Sequence, residues 1–147
     1  MPGKASRARY RKKRAQGHAE FLRGLREART KIAELQERWP AAFPQKGHTV
    51  RPLVSGAAAE ISHAAGWPCE YTRGVLSVWK RRDGYCQAVL RYERRYDLDG
   101  KETSEAVDDR ARDQARQQLA ENSAKRARQQ EERQARGEAP PREVATA

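Results

Sequence analysis

The chain has 147 residues, 37% hydrophobic and 35% charged, so it has room for one compact domain with a small core and a large solvated surface. Its 31 Lys and Arg residues outnumber its 20 Asp and Glu residues, which gives a formal net charge of +11. Such a charge favours a polyanionic partner, either nucleic acid or an anionic membrane. No apolar run could span a bilayer and none follows the basic N-terminus as in a secretory signal, so we expect a cytoplasmic protein that binds no membrane.

An amphipathic helix is predicted over residues 19–39, ended by Pro40. Its apolar residues recur at intervals of three, four and seven, and they are Leu22, Leu25, Ile32, Leu35 and Trp39. The preceding segment, residues 4–14, carries seven basic residues and no acidic one. We expect charge repulsion to keep this segment loose until an anion orders it.

Residues 52–54 (PLV) follow a polar loop and predict a short extended piece at most. Ser55 is a candidate cap for a small-residue helix over 57–65, which ends at Gly66. A second helix is expected from Cys69 to about Arg82.

Asp83-Gly84 is predicted to break that second helix, and a short helical turn is expected over 85–90. Residues 92–98 alternate sufficiently to form a strand, and Asp99-Gly100 is a strong signal for a two-residue hairpin turn. Residues 103–136 are polar nearly all round and predict a solvated helix. Pro140-Pro141 should end this helix, and disorder is expected beyond it.

Four segments, taken together and in this order, resemble the FinO/ProQ domain of bacterial RNA chaperones. They are residues 35–43 (LQERWPAAF), residues 51–53 (RPL) with Gly56, residues 73–79 (RGVLSVW) followed by Tyr85, and residues 95–100 (RYDLDG). Each segment is weak evidence alone, but their order and spacing are specific.

The resemblance implies an α+β, mainly helical fold with a short β-hairpin, flanked by long basic helical extensions. The corresponding domain limits are a basic extension over 1–18, an RNA-binding domain over 19–120 with its core motifs in 32–100, and a solvated helical or disordered tail over 121–147. The resemblance also implies binding of small regulatory RNAs and of messenger 3′ hairpins that carry a single-stranded 3′ tail. Such a protein protects 3′ ends and promotes RNA–RNA pairing in post-transcriptional regulation.

Arg73, Tyr85 and Arg95 match, by position, the residues that the FinO/ProQ family uses to bind RNA. Further candidate RNA-binding residues are Lys80, Arg81, Arg82 and Arg51. Arginine can grip a phosphate through two hydrogen bonds, and tyrosine can stack on or hydrogen-bond to a terminal nucleotide. The competing interpretations are a solvated Arg73, a Tyr85 that belongs to the core, and an Arg95 engaged in a cross-strand ion pair.

Three positions that are commonly basic in the family are not basic here, namely Val54, Cys69 and Ser77. We therefore expect fewer phosphate contacts on the domain itself. The large aromatic residues are predicted to belong to the core rather than to stack on bases, and they are Trp39, Phe43, Trp67 and Trp79.

No metal site, cofactor, small-molecule substrate or catalytic group is predicted. His18, His48 and His63 lie in separate segments without ligand spacing to either cysteine. Cys69 and Cys86 are expected to be thiols that serve as small packing residues. We expect a monomer that is not an enzyme.

Two other functions remain open from the residues alone. Helices over 57–65 and 69–82, separated by a glycine turn, would also fit a helix-turn-helix DNA-binding regulator. A basic, ribosome-associated structural protein would instead depend on its charged extensions.

Overall fold

A computed structural model of the protein describes residues 4–137. Within the first helix, the description covers the backbone alone at residues 4–7, 10, 13–15, 18, 21 and 22. The predictions made for the His18 and Leu22 side chains and for Pro140-Pro141 therefore lie outside the described residues.

The architecture is mainly helical with one antiparallel hairpin, which confirms the predicted α+β fold class. The elements in chain order are α1 (Lys4–Arg38), a short 3-10 turn (Gly47–Thr49), α2 (Ala57–Ala65), α3 (Cys69–Lys80), α4 (Asp83–Arg91), β1 (Arg94–Tyr96), β2 (Glu102–Ala106) and α5 (Asp109–Ala135).

Helix α1 is longer than the sequence pattern indicated, because residues 4–14 continue the helix instead of staying loose. That prediction was wrong because the segment is rich in Ala, Arg and Lys, whose helix propensity is high, and because it extends a helix that is already anchored. Ala28, Ile32 and Leu35 supply the anchor, since their side chains are buried.

The core lies where α1, α2, α3 and α4 meet, and Phe43 is fully buried at its centre. The Phe43 and Trp79 rings pack edge to face, with their centroids 5.3 Å apart. The core prediction is thus confirmed for both of these residues. Trp39 and Trp67 are only partly buried, and each carries a cation over its ring, Arg38 and Lys31 respectively.

Helix α3 buries one face made of Thr72, Val75, Leu76 and Trp79, whose spacing of three, four and seven residues is helical. It ends at Lys80, so Asp83-Gly84 does not break it but begins α4. Cys86 is buried in α4 as expected, whereas Cys69 is exposed at the start of α3 and is not a packing residue.

Helix α2 matches its predicted limits and ends at Gly66, which adopts the left-handed conformation with φ of 72°. Ser55 does not cap it, because Gly56 holds the capping position. The Ser55 backbone N–H instead donates to the Glu105 carboxylate, at 3.0 Å from Oε2.

The predicted hairpin forms, but its turn is longer than the two residues expected at Asp99-Gly100, because the Asp97 N–H bonds to the Lys101 carbonyl and encloses residues 98–100. The strand also covers only 94–96 of the predicted 92–98. Asp97 Oδ1 accepts hydrogen bonds from the Asp99 and Lys101 N–H groups. Residues 103–106, predicted to be helical, belong to β2, because pairing with β1 overrides their local preference. The extended piece at 52–54 is confirmed, and it pairs with β1 through a Val54 N–H bond to the Tyr96 carbonyl, N to O 3.0 Å.

Helix α5 starts after Asp108, whose side chain accepts a hydrogen bond from the Ala111 N–H at 2.8 Å. The prediction of a solvated helix was wrong for its first half. Ala111, Ala115 and Leu119 pack against the core, and small side chains at two of these positions bring α5 close to α4.

Substituting Gly100 should destabilise the protein more than substituting Gly66. Both glycines have left-handed backbones, φ 83° and 72°, so an alanine at either position costs about 1–2 kcal/mol of unfolding free energy. At Gly100 the new Cβ would also lie 2.9 Å from the Ala41 Cβ, whereas nothing lies within 4 Å at Gly66. Urea denaturation of Gly100→Ala and Gly66→Ala measures the difference, and equal losses would contradict the role of the Ala41 contact.

Candidate nucleic-acid interface

A cavity of about 610 Å³ lies between α3, α4, β1 and α5. Five of the seven predicted site residues line it together, namely Arg73, Lys80, Arg81, Tyr85 and Arg95. Residues that are up to 22 positions apart in the chain therefore converge on one surface.

Helix α3 and Arg81, the residue that follows it, supply three of these cations. Residues 73, 77 and 80 lie along one face of the helix, next to the face that enters the core. The Arg81 guanidinium donates to the Ser77 hydroxyl, Nη2 to Oγ 3.0 Å. Ser77 thus takes part in the cavity although it is not basic. Neither Val54, which packs on the core, nor the exposed Cys69 lines the cavity.

Arg95 enters the cavity from β1 and is fixed by the backbone. Its Nη1 donates to the Leu53 carbonyl at 3.1 Å, and its Nε lies 3.9 Å from a Glu105 carboxylate oxygen on β2. The cross-strand ion pair considered from the sequence is therefore present. A guanidinium has five N–H donors, so these contacts still leave donors for a ligand.

Tyr85 is 5% exposed, and its ring belongs to the core. The stacking role considered for this residue is therefore wrong, because a base cannot reach a buried ring. Its hydroxyl oxygen accepts a hydrogen bond from the Leu53 N–H at 3.2 Å, and the hydroxyl hydrogen remains available to donate. Burial raises the pKa of Tyr85, against the lowering effects of the Leu53 hydrogen bond and of Arg95.

Lys80 is the half-buried cation of the cavity. Burial and the nearby Arg95 lower the pKa of Lys80, and Glu105 opposes this change. The cations of this cavity thus outweigh its acids in a partly desolvated space. A bound anion would relieve this repulsion, so the arrangement favours phosphate groups.

The opposite wall of the cavity is formed by α5 and carries Gln114, Gln117, Gln118 and Glu121. Sequence reasoning missed this wall because the helix looked uniformly polar. The available signal was the pair Ala111 and Ala115, whose small side chains mark a packed face beside the glutamines.

Arg51 and Arg82 do not line this cavity. The Arg51 guanidinium lies over the Tyr96 ring, 4.8 Å from its centroid, and donates to the Gly100 carbonyl. The Arg82 guanidinium lies over the Trp79 ring at 5.0 Å.

The ProQ/FINO family model matches residues 25–132, which is well over half of the chain and includes every residue of the cavity. The chain belongs to the ProQ/FINO family. The resemblance stated from the four segments is thereby confirmed, and with it the general assignment as an RNA-binding chaperone of a non-enzymatic family. None of the curated proteins compared with the chain matches it.

Within residues 4–137, no helix of this ProQ/FINO protein is both long and apolar enough to cross a membrane. Among the side chains that the structure describes, no three His, Cys, Asp or Glu residues are grouped so that they could hold a metal ion.

The α5 wall is held in place by a polar cluster around Asp83 at the start of α4. Asn122 Nδ2 donates to Asp83 Oδ1 at 2.9 Å and to the Arg81 carbonyl at 2.8 Å. Arg126 forms an ion pair with the other Asp83 oxygen. The hydrogen bonds from Asn122 and Arg126 lower the pKa of Asp83, against a smaller effect of burial.

Asp83→Asn should change how stability depends on pH. Because the pKa of Asp83 is lower in the folded state than in the unfolded state, its contribution is present above about pH 4 and is lost as the pH falls through the folded pKa. We expect the variant to lose about 1 kcal/mol or less of unfolding free energy at neutral pH, since the pair is partly solvated, and to converge with the parent protein in acid. Urea denaturation at several pH values measures this.

Asp113→Asn is the matched control, because Asp113 pairs only with Arg116 three residues along the exposed side of α5. This variant should keep the acid dependence of the parent protein. If Asp113→Asn and Asp83→Asn behave alike, the Asp83 cluster does not hold α5.

Proposed function

We propose that this protein is a cytoplasmic RNA chaperone that binds structured RNA hairpins by their single-stranded 3′ tails in the cavity between α3, α4, β1 and α5. It protects these ends and promotes pairing of small regulatory RNAs with messenger RNAs. The observation that supports this most directly is the convergence of Arg73, Lys80, Arg81 and Arg95 on one cavity that Tyr85 also lines. The protein acts as a monomer and needs neither cofactor nor catalytic step.

The chemistry of the cavity favours a strand end over a duplex. A-form RNA hides its base edges in a deep, narrow groove, so a protein contacts its phosphates, its shape and its unpaired nucleotides. Lys80 and Arg95 offer partly buried charge, and the Tyr85 hydroxyl offers a neutral donor near Arg95. These groups suit phosphate and ribose oxygens, which every nucleotide carries, so binding should depend little on sequence.

An end enclosed between α3 and α5 is withheld from enzymes that degrade RNA from its terminus. Neutralising phosphates on one strand also lowers the repulsion that a complementary strand meets. Protection and pairing would thus follow from the same surface without any energy source.

The helix-turn-helix alternative is less well supported. Helices α2 and α3 do flank a glycine turn, as that interpretation requires. However, Arg73, Lys80 and Arg81 share their cavity with α5, which stands where the edges of a DNA major groove would have to approach. No specific observation favours a ribosome-associated structural role.

Removing single polar groups of the cavity should weaken binding to a hairpin with a 3′ U-tail. We expect Arg73→Ala and Lys80→Ala each to weaken binding about tenfold, because a hydrogen bond to a charged group contributes about 1.5–3 kcal/mol. Tyr85→Phe should weaken it about fivefold by deleting the neutral donor while retaining the buried ring. Gel-shift titration measures all three dissociation constants.

Arg128→Ala removes one exposed cation of α5 that does not line the cavity, and it should change the affinity about twofold or less. Unchanged affinity in all three cavity variants would contradict the site. Displacement of the hairpin by an equal concentration of duplex DNA would contradict the chaperone function itself.

RNA affinity should fall as the pH rises from about 7 towards 10, and Lys80 should account for part of the fall. The pKa of Lys80 is lowered in the free protein, and a bound phosphate would raise it again, so binding is coupled to proton uptake. Lys80→Arg keeps the charge at all these pH values and should flatten the dependence. Fluorescence anisotropy titrations measure it, and identical pH profiles for the two proteins would contradict the role of Lys80.

A further inference from the structure

A second concave surface lies on the other side of α4 and is made of two adjoining depressions of about 230 and 110 Å³. They share Gly47, Val50 and Gly84, and we call the pair the Gly84 groove. Its floor is backbone, since a Cβ placed on Gly84 would lie only 3.1 Å from the Gly47 carbonyl oxygen. The backbones of α4 and of the 3-10 turn therefore approach each other closely at these two glycines, and no side chain fills the groove at that point.

Helix α4 separates this groove from the cavity. Gly84, Gln87, Ala88 and Arg91 have helical spacing and form the face that lines the groove. The face that lines the cavity is made of Tyr85, Cys86 and Val89. Among the described residues, Tyr85 alone lines both the cavity and the groove, where it borders the smaller depression. Its buried ring lies between the two surfaces.

Among the described residues, the groove is lined by two arginines and by no carboxylate. Arg91 lines the larger depression and Arg82 lines the smaller one. Asp83, which precedes Gly84 in the chain, accepts a hydrogen bond from Asn122 of α5.

Arg82 shows that positive charge here is not balanced by the protein. Burial and the proximity of Arg29 on α1 lower the pKa of Arg82, which means that two guanidinium groups repel each other at the rim. A phosphate between or beside them would remove this repulsion.

Trp79 lines the smaller depression, and the Arg82 guanidinium lies over its ring, 5.0 Å from the centroid. This cation–π contact keeps the Arg82 side chain at the depression.

We propose that the Gly84 groove is a second RNA-binding surface, which holds phosphate groups of an RNA strand independently of any 3′ end. The inference rests on the proposed function, and it assigns Arg82 a role away from the cavity. With a chain end in the cavity and a strand along the groove, α4 would be contacted by RNA on two faces.

The test compares two RNAs that contain the same stem and tail sequence, a linear hairpin with a free 3′ tail and a covalently closed circle that has no end. The groove variant is Arg82→Gln with Arg91→Gln, which keeps polar side chains and removes two charges. The matched control is Arg128→Gln with Arg133→Gln, which removes two exposed charges from α5. Circular dichroism verifies that each variant is folded, and anisotropy titrations at several salt concentrations give the dissociation constants.

We expect the groove variant to bind the circle about tenfold more weakly and with a salt dependence reduced by about 1.5 in slope, as loss of two phosphate contacts predicts. The control should bind the circle within about twofold of the parent protein, and Arg73→Ala with Lys80→Ala should affect the linear RNA alone.

Undiminished binding of the circle by the groove variant would overturn this inference, as would an equal loss in the control. If the groove variant fails on the circle while the cavity variant binds the linear hairpin normally, the cavity assignment is wrong and the groove stands. A parent protein that binds neither RNA would overturn both proposals.

Discussion

The contact between α4 and α5 is the interaction on which the rest of the site depends. Ala115 is buried in it, and a side chain no larger than a methyl group lets the two helices approach closely. This approach places the glutamines of α5 opposite the cations of α3, with Asp83 and Asn122 tying the helices at one end. Without it, α3 would present a flat, solvated row of basic residues, and surface charges of that kind bind anions weakly.

Tyr85 and Arg95 connect the binding surface to the core through Leu53. The Leu53 N–H donates to the Tyr85 hydroxyl, and the Leu53 carbonyl accepts from Arg95, so one extended residue orients both polar groups. Leu53 itself is fixed by its bridge to β1 at Tyr96. The cavity is therefore preorganised, and little conformational freedom has to be lost on binding.

Electrostatic imbalance is common to the cavity and to the Gly84 groove. Burial, together with a like-charged neighbour, lowers the pKa values of Lys80 and Arg82, which costs stability in the free protein. Proteins retain such destabilising charges at sites where a ligand of the opposite charge neutralises them. The same excess of positive charge on two faces of α4 distinguishes the cavity and the Gly84 groove from α1 and from the second half of α5, where the charged residues are dispersed.

The sequence by itself determined the elements whose cause is local: α2 with its left-handed Gly66, the position of the hairpin near Gly100, and the family to which residues 35–100 point. Arg73, Tyr85 and Arg95 could be selected from it because they stand within that family's motifs. Tertiary structure alone decided that residues 103–106 form a strand, that the Tyr85 ring is buried, and that Arg82 lies apart from Lys80 and Arg81. The physical reason is that these outcomes follow from pairing and packing between distant segments, and such contacts leave no periodic or compositional signal along the chain.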